Sequence, residues 1–281
     1  DTDIRGEIVH LNESYQSALK RIDYPVELQK LLGEALSAVV LLSATLKFSG
    51  RLSLQIQGEG IISLLLAQVT HDRKMRALIN WKGETEGKSF RELVGKAHFA
   101  ITIEPDSGQR YQGIVPLAGE NLCDCLEKYF TQSEQLPTRI WLRADSQYAA
   151  GLLLQKLPGD KSEQSTKDWE HVTIIAETIT TAELLNLSNE EFLYRLYHDD
   201  PIRLFDEQGV EFKCVCSKEK CEEAISTLGK EEIQKIIDEK KIMHMNCEFC
   251  GSDYQLDIVD LTHLLKRVSE SLDGEKRYEN N

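Results

Sequence analysis

The sequence predicts an α+β protein with an N-terminal antiparallel sheet domain packed with helices, a helical connector and a small C-terminal domain. Three observations predict this class. Short runs of apolar residues that alternate with polar ones are joined by turn residues, which is typical of antiparallel strands. Apolar residues recur at helical spacing between 26 and 47. Five of the seven cysteines lie between 214 and 250, which sets the end of the chain apart.

The predicted N-terminal domain, residues 1–160, starts with a strand at 4–11 and two helices at 13–22 and 26–47. Pro25 lies at the start of the second helix, where its missing N–H costs little. A meander of strands should follow, because turn residues such as Pro105-Asp106-Ser107-Gly108 separate the apolar runs. We expect these further elements in a single sheet domain: strands at 52–57, 61–69, 75–81, 96–104, 110–117, 139–143 and 149–157, and a helix that Asn121 caps, at 121–132.

The connector, residues 161–213, has apolar residues but weak local helix propensity. Three threonines between 178 and 181 lower that propensity. A capping box at 188–191 predicts a helix to His198, and two short apolar runs at 202–205 and 210–213 predict a hairpin. A segment of this kind depends on packing against its neighbours, so we expect it to open more easily than a core. An ordinary interdomain connector is the alternative.

The terminal domain, residues 214–281, contains Cys214-Val215-Cys216 and, after 30 intervening residues, Cys247-Glu248-Phe249-Cys250-Gly251. Zn²⁺ is bound tetrahedrally by four thiolates. A Cys-x-x-Cys turn that ends in glycine directs two sulfurs to one ion, and residues i and i+2 of an extended segment point to the same side. We therefore expect one Zn²⁺ held by Cys214, Cys216, Cys247 and Cys250. Short helices after Ser217 and Gly229, a strand at 254–256 and a final helix from Ile258 complete a domain too small to fold without its metal.

Other uses of the cysteines remain open at this point. A structural disulfide pair would require an oxidising compartment. Cys221 lies out of register with the pairs and is expected to be a non-ligand, whereas His244 would serve in a Cys₃His site. Cys123 and Cys125 lie inside the predicted 121–132 helix, where positions i and i+2 point about 200° apart. They are therefore interpreted as ordinary helix cysteines, with a redox role as the alternative.

Charge, apolar runs and cysteine count argue against nucleic-acid binding, a membrane span and an oxidising compartment. The net charge of −14 repels phosphate backbones, so non-specific nucleic-acid binding is not expected. The longest apolar run, 35–46, falls short of the ~20 residues of a membrane span. An odd number of cysteines without a signal-peptide pattern favours a reducing cytoplasm. Since Asp1 is not Met, we expect that an N-terminal piece precedes it.

A family resemblance extends along the chain. Phe212-Lys213-Cys214-Val215-Cys216-Ser217 and the segment Cys247–Gly251 resemble the redox switch of the 33-kilodalton heat-shock chaperone family. Three further segments resemble family segments in the same order: Arg110-Tyr111-Gln112-Gly113, Ser133-Glu134-Gln135-Leu136-Pro137-Thr138-Arg139 and Arg195-Leu196-Tyr197-His198. The likeness therefore covers essentially the whole chain.

The resemblance implies a redox-regulated chaperone rather than an enzyme. Such a protein is an ATP-independent holdase that binds unfolding proteins under oxidative stress. The resemblance also implies that oxidation pairs Cys214 with Cys216 and Cys247 with Cys250, that zinc is then released and that apolar surface becomes exposed. Family members are expected to dimerise when oxidised and to pass their clients to ATP-dependent foldase chaperones.

Two other functions compete with this one. A thiol–disulfide oxidoreductase would use Cys247-x-x-Cys250, but that motif belongs in a βαβ context at a helix N-terminus. A zinc-ribbon nucleic-acid adaptor would need a basic patch and stacking aromatic residues, which the negative charge makes improbable.

Overall fold

The computed structural model describes residues 3–20, 22–159, 162–239 and 242–278, with side chains as far as Ser269. It divides into two compact units, Asp1–Lys213 and Cys214–Asn281. The predicted boundary at 160–161 lies outside the described residues. Helices and sheets in which all strand pairs but one are antiparallel make up the described parts of both units, so the predicted α+β class is confirmed.

The first unit contains nine strands and seven helices within the described residues. The strands are β1 (Ile4–Leu11), β2 (Gly50–Gly58), β3 (Ile62–Thr70), β4 (Lys74–Trp81), β5 (Ala97–Pro105), β6 (Tyr111–Pro116), β7 (Thr138–Ala144), β8 (Ala149–Lys156) and β9 (Glu211–Phe212). The helices are α1 (Glu13–Leu19), α2 (Val26–Thr45), α3 (Phe90–Val94), α4 (Leu122–Tyr129), α5 (Glu163–Ala176), α6 (Thr181–Asn186) and α7 (Asn189–Tyr197), and a π-helical turn at Phe130–Glu134 extends α4.

The strands form two sheets rather than the single sheet expected from the sequence. The larger sheet has the order β6-β5-β2-β3-β4-β9, and the smaller one has the order β1-β8-β7. Thus β7 and β8 do not close the meander: β8 pairs with β1, with Ile8 opposite Leu152, and β7 pairs with the other edge of β8. Alternation of polar and apolar residues shows which face of a strand is buried, but it does not show which neighbour the strand pairs with.

Helix α2 packs against strands of both sheets and forms the centre of the main core. Leu28, Leu32 and Leu36 on this helix are fully buried. At 20 residues it is the one described helix that is long and apolar enough to cross a membrane, which the sequence prediction did not anticipate. However, 67% of its most apolar window is buried in the unit, as expected for a core helix.

The connector helices α5 to α7 cover the outer face of the smaller sheet. Side chains alternate along its strands, so that one face joins the main core and the other joins a second cluster. That second cluster buries Trp141, Ala150, Leu152 and Leu154 of the sheet against Ala176, Ile179, Leu184, Leu185 and Phe192. One of the threonines that lower helix propensity lies at a helix boundary: Thr180 caps the start of α6 and forms a capping box with Glu183.

Two connector predictions need correction. Ser188 caps α7 by accepting a hydrogen bond from the Glu191 amide, but the Glu191 carboxylate accepts from Arg195 instead of completing the box. The predicted hairpin at 202–205 and 210–213 is wrong. Residues 201–210 have no regular structure, and β9 instead pairs in parallel with β4.

The second unit contains α8 (Lys218–Ser226), α9 (Lys230–Asp238), the antiparallel hairpin β10 (Met243–Asn246) and β11 (Asp253–Leu256), and α10 (Ile258–Tyr278). Strand β10 was not predicted. The core of the second unit, within the described residues, has only five buried apolar residues, Ile225, Ile233, Leu256, Leu261 and Leu264. A core of this size supplies little stability, so cross-links or a metal are normally needed.

Candidate metal centre

The hairpin of the second unit positions one cysteine pair. Cys247 and Cys250 lie in the turn between β10 and β11, where the Cys247 amide donates to the Ser252 carbonyl at 2.9 Å. The amide of Gly251 donates to the Cys247 carbonyl at 2.7 Å. This tight turn gives Gly251 a φ of +65°, a conformation that glycine adopts without steric cost.

The other pair precedes helix α8 in a segment without regular structure. Ser217, directly after Cys216, caps that helix by accepting a hydrogen bond from the Lys220 amide at 3.3 Å. Lys218 then pairs with Asp260 on α10 at 2.6 Å, which ties the start of α8 to the start of α10. The position of Cys216 is therefore set by the packing of the helices of its own unit.

These two elements bring four sulfur atoms together. Within the described residues, the Sγ atoms of Cys214, Cys216, Cys247 and Cys250 all lie within 4.8 Å of one another. Two of the separations are 3.5 Å between Cys214 and Cys247 and 3.4 Å between Cys216 and Cys250. Four thiolates at about 2.3 Å from a tetrahedral Zn²⁺ would lie roughly 3.8 Å apart. The donor set and its dimensions therefore fit such an ion, and the group could hold a metal.

The thiols of this group differ in acidity. Burial raises the pKa of Cys214 to about 12 and also raises the pKa of Cys247. Burial acts in the same direction on Cys250, but hydrogen bonds with the side chain and backbone of Ser252 and with Cys216 outweigh it and lower its pKa to about 7. Two thiols thus resist ionisation until a cation compensates the charge, which is the usual behaviour of a metal site.

The remaining candidates lie outside this group. Cys221 packs at the edge of the small core, and burial raises its pKa. The imidazole of His244 lies 3.4 Å from Asp253. In the first unit, burial raises the pKa of Cys123 to about 12 and that of Cys125 to about 11, which opposes thiolate chemistry at both.

Two residues beside the sulfurs were not predicted from the sequence. The Tyr254 hydroxyl donates to Cys216 Sγ at 3.1 Å, and the thiol of Cys250 donates to Ser252 Oγ at 3.2 Å. Ser252 and Tyr254 follow the cysteine turn closely in sequence, which could have indicated contact with the sulfurs. Serine and tyrosine are, however, common in turns and strands, so this signal is not specific. Only the folded hairpin shows that their hydroxyls point to sulfur.

A comparison with protein families identifies the chain. The model of the family described as "Hsp33 protein" matches residues 1–257. The chain belongs to the Hsp33 family. Among its relatives, the 33 kDa chaperonin of Nitrosococcus oceani is 45% identical over 261 residues, which cover 93% of this chain and 90% of that protein. The 33 kDa chaperonin of Hahella chejuensis is 47% identical over 256 residues, covering 90% of each.

A solved structure supports the Hsp33 fold independently. The crystal structure of the 33 kDa chaperonin (heat shock protein 33 homolog) from Thermotoga maritima superposes with a TM-score of 0.83 and covers 95% of each chain. Its sequence identity is 23%, so this likeness concerns the fold. The resemblance seen in the sequence is therefore confirmed as membership of the Hsp33 family, whose curated relatives are named as chaperonins.

Proposed function

We propose that this Hsp33 family member is a redox-regulated, ATP-independent holdase that binds unfolding proteins under oxidative stress. The observation that carries the proposal is the group of four sulfurs, which two short segments bring together in a unit with a small core. In the reduced state Cys214, Cys216, Cys247 and Cys250 bind one Zn²⁺. The ion offsets part of the negative charge of the thiolates and contributes folding free energy to residues 214–281.

Oxidation removes the ligands of this ion. Two thiolates give up two electrons when they form one disulfide, and one hydrogen peroxide accepts these electrons and, with two protons, becomes two waters. We assign the pairs Cys214–Cys216 and Cys247–Cys250, as the family resemblance implies. In the thiol form Cys214 Sγ lies 3.5 Å from Cys247 Sγ and Cys216 Sγ lies 3.4 Å from Cys250 Sγ, so peptide mapping of the oxidised protein is needed to distinguish the pairings.

The consequence for the connector follows from its position. Residues 211–213 precede Cys214. Two backbone hydrogen bonds tie them to β4 and to the residue before it, from the Glu211 amide to the Arg73 carbonyl at 3.1 Å and from the Lys213 amide to the Met75 carbonyl at 3.0 Å. Once residues 214–281 unfold, the connector is held by these contacts, by the second apolar cluster and by polar contacts with the smaller sheet, such as those of His10 with Leu184 and Asn189. Because that cluster has apolar residues on both the sheet and the helices, release of the connector uncovers two apolar surfaces for clients.

The connector also presents apolar residues that are already exposed. Ile202, Leu204 and Phe205 lie in the segment without regular structure, and Phe205 is 71% exposed. We assign to this segment a share of client binding. The net charge of −14 helps to keep such a surface in solution. We further propose a cytoplasmic location, dimerisation of the oxidised form and transfer of clients to ATP-dependent foldases.

The test measures zinc content, free thiols and suppression of aggregation of a heat-unfolded client enzyme before and after peroxide with mild heat. The reduced protein should contain one zinc and hold no client, and the oxidised protein should show the reverse. Zinc content and holding activity that both stay unchanged by oxidation would refute the proposal.

Matched variants sharpen this test. Cys247→Ser removes one member of the sulfur group and should lose zinc and oxidant dependence together. Cys221→Ser removes a cysteine that lies outside the group and should behave like the unmodified protein. Sustained reduction of insulin by the unmodified protein would instead favour a thiol–disulfide oxidoreductase.

A further inference from the structure

The phenolic hydroxyl of Tyr254 lies against one of the four sulfurs. It donates a hydrogen bond to Cys216 Sγ at 3.1 Å, across 38 positions of sequence. A phenol can donate this bond to a thiol or to a thiolate. The bond to the ionised thiolate is the stronger of the two.

The hairpin fixes this side chain in place. Tyr254 lies on β11, two positions before the fully buried Leu256, so both side chains lie on the same face of the hairpin. Met245 and Met243 are their partners across the hairpin, and both pack against the small core. The hydroxyl is therefore held towards Cys216 by strand register and does not depend on a flexible side chain.

The four sulfurs differ in the groups that contact them. The Cys250 sulfur contacts the hydroxyl and backbone amide of Ser252. The Cys247 sulfur receives backbone hydrogen bonds within the turn, from Phe249 and Cys250. Cys216 lies outside that turn, and the tyrosine hydroxyl reaches it from the other strand of the hairpin.

We infer that Tyr254 is a positioning residue of the redox switch, which holds the Cys216 thiolate in its ligating orientation and slows its reaction with oxidants. This inference rests on the proposed function. A hydrogen bond to a thiolate withdraws charge from sulfur and lowers its nucleophilicity, so attack on peroxide becomes slower. Groups that orient metal ligands typically change metal affinity by about 10- to 100-fold.

The test compares the full zinc-loaded chain with Tyr254→Phe, which removes the hydroxyl and keeps the ring. Tyr194→Phe, at a tyrosine that is 71% exposed on α7, is the matched control. We expect zinc to be released from Tyr254→Phe several-fold faster under a fixed peroxide concentration. A chelator competition should show an affinity about 10-fold weaker. Thiolate-to-metal charge-transfer bands of the cobalt-substituted variant should shift as well.

A purely structural role for the tyrosine predicts different results. The ring would still pack in Tyr254→Phe. The inference would be overturned if the rate of zinc release and the zinc affinity stay within twofold of the unmodified protein and the cobalt spectrum is unchanged within error. A switch that is absent from the unmodified protein would refute the proposed function instead. The two failures are therefore distinguishable.

A second measurement does not depend on the folding of that variant. Incorporation of 3-fluorotyrosine at all nine tyrosines makes each phenol a stronger hydrogen-bond donor while the ring shape stays nearly the same. Zinc release under peroxide should then become slower than in the unlabelled protein. Faster or unchanged release would contradict a hydrogen bond that protects Cys216.

Discussion

His10 joins the first strand of the chain to the connector helices, and its removal gives a sharp prediction. The imidazole Nε2 donates to the carbonyl oxygen of Leu184 in α6, and Nδ1 lies 3.0 Å from Asn189 Oδ1 at the start of α7. Asn189 in turn donates to the Glu207 carboxylate at 2.7 Å. One side chain of the sheet therefore contacts two of the three connector helices, α6 and α7, and, through Asn189, the segment that follows them.

The expected change in the free energy of opening of the connector follows from these contacts. A typical hydrogen bond contributes about 0.5–1.5 kcal/mol net, because water replaces the lost partner. Leu184 lies in the last turn of α6, where carbonyl groups have no partner within the helix. We therefore expect His10→Ala to lower the free energy of opening of the connector by about 1–2 kcal/mol, which corresponds to a roughly 5- to 30-fold larger open population.

Hydrogen exchange of the reduced, zinc-loaded protein measures this population. Amides of α6 and α7 should exchange about 5- to 30-fold faster in His10→Ala, whereas those of β2, β3 and β5 should be unchanged. His98→Ala, at an exposed histidine on β5, is the control. Exchange of α6 and α7 within twofold of the unmodified protein, or an equal effect in the control, would refute the argument. Under the proposed function, His10→Ala should also respond to less oxidant.

Three further predictions concern the metal, pH and client binding. A strong chelator should abolish exchange protection of α8 and α9 in the reduced protein while the central strands stay protected, and retained protection would show that residues 214–281 fold without metal. Burial raises the pKa of Glu34 from 4.5 to about 7, so the contribution of this group to the stability of the first unit is fully present below about pH 4.5 and is lost as pH rises through 7. Glu34→Gln should remove up to roughly 3 kcal/mol of this loss, at about 1.4 kcal/mol per pKa unit, as measured by urea unfolding at pH 5 and pH 8; equal pH dependence in both proteins would contradict the buried carboxyl. Phe205→Ser should weaken holding of a client by the oxidised protein by up to about tenfold without changing zinc content, because one exposed aromatic contact is lost; a variant with full holding activity would exclude this residue from the client surface.

Much of the molecule could be predicted from the sequence. The spacing of Cys214, Cys216, Cys247 and Cys250 predicted the sulfur group. The Cys247–Gly251 turn is fixed by local geometry, whereas the position of Cys216 also depends on helix packing within its unit. The apolar period of 26–47 predicted α2 within two residues at its C-terminal end, and the alternating runs predicted strands β2 to β6. These are local signals, in which neighbours within a few positions determine the backbone.

The tertiary structure decided what depends on distant partners. β7 and β8 joined β1 rather than the meander, and residues 210–213 paired with β4 rather than with 202–205, because pairing is chosen by packing between elements. The same holds for the contact of Tyr254 with Cys216, 38 positions apart, and of His10 with Asn189, 179 positions apart. The sequence determined which side chains were available for a metal centre, and only the fold determined which hydroxyl and which histidine contact it or the connector, since such contacts exist only once remote segments have packed together.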